Sequence, residues 1–95
     1  MIKSIVRSES AGVFFGEVME HDRQTGTVDM QHARRLWRWA GAATISQLAV
    51  DGTSNPGGCK FPVEVHRMVI ARVIEVVPCT AKAQKSLEEV PIWSE

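Results

Sequence analysis

The pattern of apolar and polar positions divides the chain into several β-type segments and two short stretches of helical spacing. Residues 2–7, IKSIVR, alternate and predict a first short strand that ends at the polar SESAG. The segments VFFGEVMEH and TVDMQHARRLWRW flank DRQTG, a glycine-containing loop, and predict a hairpin that supplies the central strands. A loop that leaves His21 facing Thr27 puts Phe14 opposite Arg34 and Gly16 opposite His32. Small residues then remove side-chain bulk in AGAAT. Beyond them ISQLAV reads as one or two helical turns, with Thr44 or Ser46 as N-cap and Gly52 as the stop.

Residues 51–62, DGTSNPGGCKFP, are dense in Gly, Pro, Asn and Ser and predict a long loop inside one domain. The stretch VEVHRMVIARVIEVV, Val63 to Val77, is the strongest β segment, and its length predicts a bend or bulge near the middle. After Pro78, Thr80 caps a short helix whose Ala83, Leu87 and Val90 form one apolar stripe. Its charges run against the helix dipole, with Lys82 and Lys85 near the positive end and Glu88 and Glu89 near the negative end. Each such misplacement costs about 0.3–1 kcal/mol at an exposed site, so docking of the stripe must hold the helix. Ile92 and Trp93 in the tail PIWSE predict an extra strand or a plug over the core. The expected fold class is α+β, mostly β: a small antiparallel sheet, made of a hairpin plus a long strand, with one or two short helices in a single domain over residues 1–95.

A chain of 95 residues buries little more than ~60% of the surface its unfolded form exposes, so oligomerisation, disulfides or a metal are natural supplements. Cys59 and Cys79 have no neighbouring C-x-x-C or Cys/His pair, which removes the spacing of a structural zinc site. No basic start followed by an apolar run marks a secretory signal, and no stretch approaches the ~18 apolar residues of a membrane helix. The expectation is a cytoplasmic protein with reduced thiols and no membrane partner. Eleven basic and eleven acidic residues leave no net charge, which disfavours a general grip on nucleic acid. Any anion site must therefore be local.

The densest positive cluster is RRLWRW, residues 34–39. On a strand Arg35, Trp37 and Trp39 share one face, and Arg34, Leu36 and Arg38 the other. The first face can stack a planar group on tryptophan while Arg35 forks onto a phosphate. The same residues also suit a core or an oligomer interface, with the arginines at the rim. AGAA beside them gives a ligand or a neighbouring subunit room to approach the backbone, and the loop SNPGGCKFP can close over the face with Lys60 as a second cation or form a plain surface turn. His21 and His32 lie about 17 Å apart on the expected hairpin, too far to share a metal, and His66 sits in another strand. No nucleophile elbow, phosphate-binding loop or paired carboxylate spacing is present. The expectation is a protein with no catalytic residue, no metal and no cofactor.

The run ARRLWRWAGAATISQLAVDGTSNPGGCKFP, continued by VIEVVPCTAKAQKSLEEVPIWS, resembles a family of small accessory proteins encoded in tailed phages and prophages. The resemblance extends from SAGVFFGEV to the tail and carries no assigned site residue. It implies an accessory role in the host cytoplasm, often against host defence, by binding a host protein or soaking up a nucleotide signal. Known phage sponges are small, non-enzymatic oligomers that hold phosphates with arginine and bases with aromatics, an analogy in kind. The reading that follows is a homo-oligomer binding a small anionic ligand, such as a cyclic oligonucleotide, through Arg34, Arg35, Trp37, Arg38, Trp39 and Lys60. The alternative is a structural or protein-interaction module in which the same residues bury an interface.

Overall fold

A computed structural model describes residues 2–94. Strands β1 (Lys3–Ser8), β2 (Gly12–Asp22), β3 (Thr27–Arg35), β4 (Val65–Ile70) and β5 (Val73–Pro78) form one antiparallel sheet in the order β4-β3-β2-β1-β5. Helices α1 (Ile45–Asp51) and α2 (Ala81–Glu88) complete a mostly β α+β fold. No helix among the described residues is long and apolar enough to cross a membrane.

The long strand expected over 63–77 is two strands. Only Ala71 and Arg72 separate β4 from β5, yet the two lie at opposite edges of the sheet, so the sheet must curl until its edges meet at one end. Contacts from distant turns fix that break. Ser8 Oγ donates to the Ala71 carbonyl at 2.8 Å, the Glu9 N–H to the Arg72 carbonyl at 2.9 Å, and the Val73 N–H to the Gly26 carbonyl at 2.8 Å. Arg72 takes a left-handed φ of 54° to make the corner.

Curling buries the sheet on both faces. Inside the curl Val6, Phe14, Val28, Met30, Ala33 and Ile70 form one core; on the other face Ile5 and Phe15 pack under the helices with Leu48, Phe61, Ala83 and Leu87. Successive strand residues point to opposite faces, which is why Ile5–Val6 and Phe14–Phe15 are adjacent apolar pairs instead of an apolar/polar alternation.

Both helices start where the capping signals place them. Thr44 Oγ1 accepts from the Gln47 N–H and Thr80 Oγ1 from the Ala83 N–H, while Gly52 ends α1 at φ 75°. The α2 stripe is buried as expected: Ala83, Leu87 and Val90. Two of the four charges expected to be unfavourable find partners elsewhere, Lys82 on Asp51 at 3.7 Å and Glu88 on Lys3 at 3.3 Å. Beside Lys85 in its last turn, the C-terminal end of α2 receives a second cation from β3, where Arg34 donates to the Leu87 and Val90 carbonyls. The tail is no plug: Ile92 makes one parallel bridge to Phe61 but is 61% exposed, as Trp93 is 38%.

Cys79 lies buried beside this helix, and that burial pushes its thiol up to about 11. The folded state thus favours the neutral thiol: its contribution is complete below the unfolded-state value near 9 and is lost as pH rises toward about 11. A urea-midpoint series between pH 8 and 11 is expected to fall over that window in wild type and less in Cys79→Ser. Equal slopes for the two proteins would contradict it.

Candidate functional site

Two bulges in the β2–β3 hairpin, both ahead of RRLWRW, set which face each of its arginines takes. Near its turn the β2–β3 hairpin pairs Asp22 with Thr27 and His21 with Val28, one position away from the expected register. Met19 is the extra residue on β2, and the second irregularity, beside Gly16, leaves an extra residue on β3, where His32 adopts φ 49°. In consequence Phe14 faces Arg35 and Phe15 faces Arg34. β3 stops at Arg35, extended by a single bond from the Leu36 N–H to the Val13 carbonyl at 2.8 Å.

Arg34 is buried and entirely committed to the fold. Its Nε donates to the Pro62 carbonyl at 3.1 Å, Nη1 to those of Leu87 and Val90 at 3.3 and 2.9 Å, and Nη2 to those of Phe61 and Pro91 at 2.8 and 3.4 Å. Burial lowers its pKa from the ordinary guanidinium value and the Glu64 carboxylate opposes that shift. The phosphate contact expected of Arg34 is therefore not available. One guanidinium instead ties the C-terminal end of α2, the tail and the chain leading into β4.

Arg35 is the opposite case. Its Nη1 donates to the Ala11 carbonyl at 2.6 Å and its guanidinium carbon stands 4.6 Å over the Phe14 ring, so the plane is held from two directions although the residue is exposed. Its Nε and Nη2 make no hydrogen bond among the described residues. These two N–H groups form the side-on edge of a guanidinium, the fork that binds carboxylate or phosphate in two parallel bonds. Arg67 uses the same edge on Asp29, at 3.1 and 2.9 Å.

Ala11, Gly12, Val13, Arg35, Leu36, Trp37 and Trp39 line a surface cleft of about 230 Å³. Trp37 is 65% exposed, whereas Trp39 is half-buried and leans on the core beneath the helices. The cleft brings Arg35, Trp37 and Trp39 together, and Leu36, expected on the opposite face, lines it with them because β3 ends at Arg35. Its floor, residues 11–13, comes from the β1–β2 turn, where Gly12 holds φ 107°. Sequence reasoning missed this floor, because nothing local in SESAG signals that the hairpin register will bring it to Arg35.

The other two candidates lie elsewhere. Arg38 is exposed and shares only a backbone bridge with Lys60, whose Nζ sits 5.3 Å over the Trp93 ring. Lys60 is therefore a contact to the tail and no lid on the cleft. The space beside AGAA is filled from within: Thr53 Oγ1 donates to the Ala40 carbonyl and the Ser54 N–H to that of Gly41, so the protein's own loop occupies the room expected for a ligand or subunit.

A second cavity, also about 230 Å³, is lined by Arg34, Glu64, Glu88, Val90 and Ile92. Lys3 Nζ bridges its two carboxylates at 3.6 and 3.3 Å, and His32 Nδ1 lies 3.5 Å from Glu64. His32 and His66, on neighbouring strands, meet edge to face at 5.5 Å. No cluster of three His, Cys, Asp or Glu among the described residues can hold a metal ion.

Fold and cleft together define a small, mostly β α+β domain whose surface carries a guanidinium beside two tryptophans. The chain belongs to the family described as domain of unknown function DUF6948, matched over residues 1–87. No curated protein and no solved structure matches the chain.

Proposed function

We propose that this domain is a non-enzymatic binding protein, that its site is the Arg35–Trp37–Trp39 cleft, and that its ligand is a small, flat anion of the nucleotide class. One observation carries the reading: an indole that is 65% exposed stands beside a guanidinium held in place through Nη1, with its side-on fork free. Stacking a base on an aromatic ring contributes about 1–3 kcal/mol, and a hydrogen bond to a charged group about 1.5–3 kcal/mol. Both contacts are available here without rearrangement of the backbone. The lining is otherwise apolar, which suits recognition of a ring more than of an extended polyanion. Sequestering a nucleotide signal, as a phage accessory protein would, is the use that the sequence resemblance suggests for such a site.

Native mass spectra with a panel of mononucleotides, cyclic dinucleotides, cyclic trinucleotides and ADP-ribose derivatives test this. Wild type is expected to gain stoichiometric ligand mass from at least one of them. Arg35→Ala combined with Trp37→Ala is expected to lose the adduct, with Trp37→Ala changing stability by no more than about 0.5 kcal/mol and Arg35→Ala by about 1–2 kcal/mol, since it gives up the bond to Ala11 and the cover over Phe14. A second reading, a protein-interaction module, is favoured by β4, an edge strand whose outer face and approach expose Val63, Val65 and Val69 by 60%, 38% and 59%. An oligomer that takes up no member of the panel is the result this second reading expects, and it would overturn the first.

A further inference from the structure

We infer that the cleft is a half-site: it reads one nucleotide unit, and a cyclic dinucleotide is held between two copies of the chain. The inference rests on the binding function proposed above and adds the unit recognised and the stoichiometry. Arg34 has every N–H donor engaged by carbonyls, Lys60 stands over Trp93, and Arg38 lies outside the cleft lining. Arg35 is therefore the single cation among the cleft's lining residues, and with Nη1 fixed to Ala11 it offers one bidentate edge. One edge receives one phosphate.

The cleft is open and small, so it can seat one part of a larger ligand while the rest stands outside it. The cleft holds about 230 Å³, below the roughly 300–1,000 Å³ of pockets that enclose a drug-sized ligand. A base stacked on Trp37 with its phosphate on Arg35 fits that scale. A cyclic dinucleotide has about twice that bulk, two bases and two phosphates, so a single cleft leaves one base in water and one phosphate without a cation. Seated in one copy, it presents its second base and phosphate outward. A second copy, turned about the ligand's two-fold axis, meets them with its own Trp37 and Arg35, which makes an isologous pair with the ligand at its centre. Nothing in the long-range electrostatics opposes the approach, because each chain carries eleven basic and eleven acidic residues and no net charge.

Titration of the wild-type chain with AMP, GMP, c-di-AMP and c-di-GMP, read by native mass spectrometry and sedimentation velocity, tests this. The expected results are one mononucleotide per chain without pairing, and a complex of two chains with one cyclic dinucleotide at limiting ligand. That complex should give way to one ligand per chain when the cyclic dinucleotide is in large excess. Arg35→Ala should weaken both modes at least tenfold, and the pairing should be lost together with the binding. One cyclic dinucleotide held by a single chain at limiting ligand would overturn the half-site while leaving the binding function standing. Uptake of none of the four would overturn the half-site, and the binding function falls with it only when the cyclic trinucleotides and ADP-ribose derivatives of the wider panel also give no adduct.

Discussion

Replacing Arg34 by alanine is expected to destabilise the folded chain by about 3–5 kcal/mol, the largest loss anticipated for any single position in RRLWRW. Five carbonyls accept from this side chain, and three of these bonds, to Phe61, Leu87 and Val90, lie in buried surroundings. A buried acceptor left without its partner costs about 1–3 kcal/mol, and the neighbouring Phe61 ring also loses the guanidinium 5.4 Å from its centre. In a domain of this length each kcal/mol moves the thermal midpoint by about 4–8 °C, so the expected fall is at least ~12 °C. Arg34→Lys should recover only part of it, since three donors on a flexible stem cannot reproduce a planar set of five. Thermal and urea unfolding of both variants check this. A midpoint for Arg34→Ala within a few degrees of wild type would show that water or the tail replaces the lost bonds.

The neighbouring Arg35, by contrast, is expected to be replaceable without loss of fold, and the divergence between adjacent arginines shows what sequence reading can and cannot reach. Alternation along a strand sends the two side chains to opposite faces, but β3 ends at Arg35, and Leu36 then joins Arg35, Trp37 and Trp39 in the cleft against that alternation. It does not say which face is dry. That depends on the bulge at His32, where the chain takes φ 49° inside a strand with no glycine to announce it, and which shifts the hairpin so that Arg34 meets the end of α2. A signal of this kind is tertiary. The same holds for the corner at Ala71 and Arg72, where a run free of Gly and Pro is broken by bonds from Ser8, Glu9 and Gly26.

Features whose cause is local were legible. Thr44, Gly52 and Thr80 cap their helices because a hydroxyl beside the first turn, or a glycine after the last, satisfies the backbone wherever the helix later docks. The cleft is intermediate. Its aromatic and cationic wall follows from spacing, but the floor at residues 11–13 depends on a pairing register that the turn sequence does not specify. Lys60 illustrates the opposite failure, a cation near the right place in sequence whose side chain the tail claims first.

Gly41→Ala is expected to cost about 2–5 kcal/mol, and its result bears on the reading of the small-residue run. Gly41 holds φ 77°, a conformation that penalises any Cβ by about 1–2 kcal/mol. The added methyl would also stand 2.5 Å from the Asn55 nitrogen and 2.7 Å from the Ser54 nitrogen, backbone atoms that cannot swing aside, and overpacking of this kind adds about 1–3 kcal/mol. Gly57 is the matched control in the same loop, because a Cβ there meets nothing within 4 Å; Gly57→Ala should change stability by no more than about 0.5–1 kcal/mol. Urea midpoints for the two variants decide between two roles of AGAA. A large loss at Gly41 with none at Gly57 makes the run the seat of the loop that follows α1, where small residues let two backbones touch. If Gly41→Ala instead keeps its stability and loses nucleotide uptake, the run belongs to the binding site, and the cleft must extend beyond Trp39 toward Ala40 and Gly41.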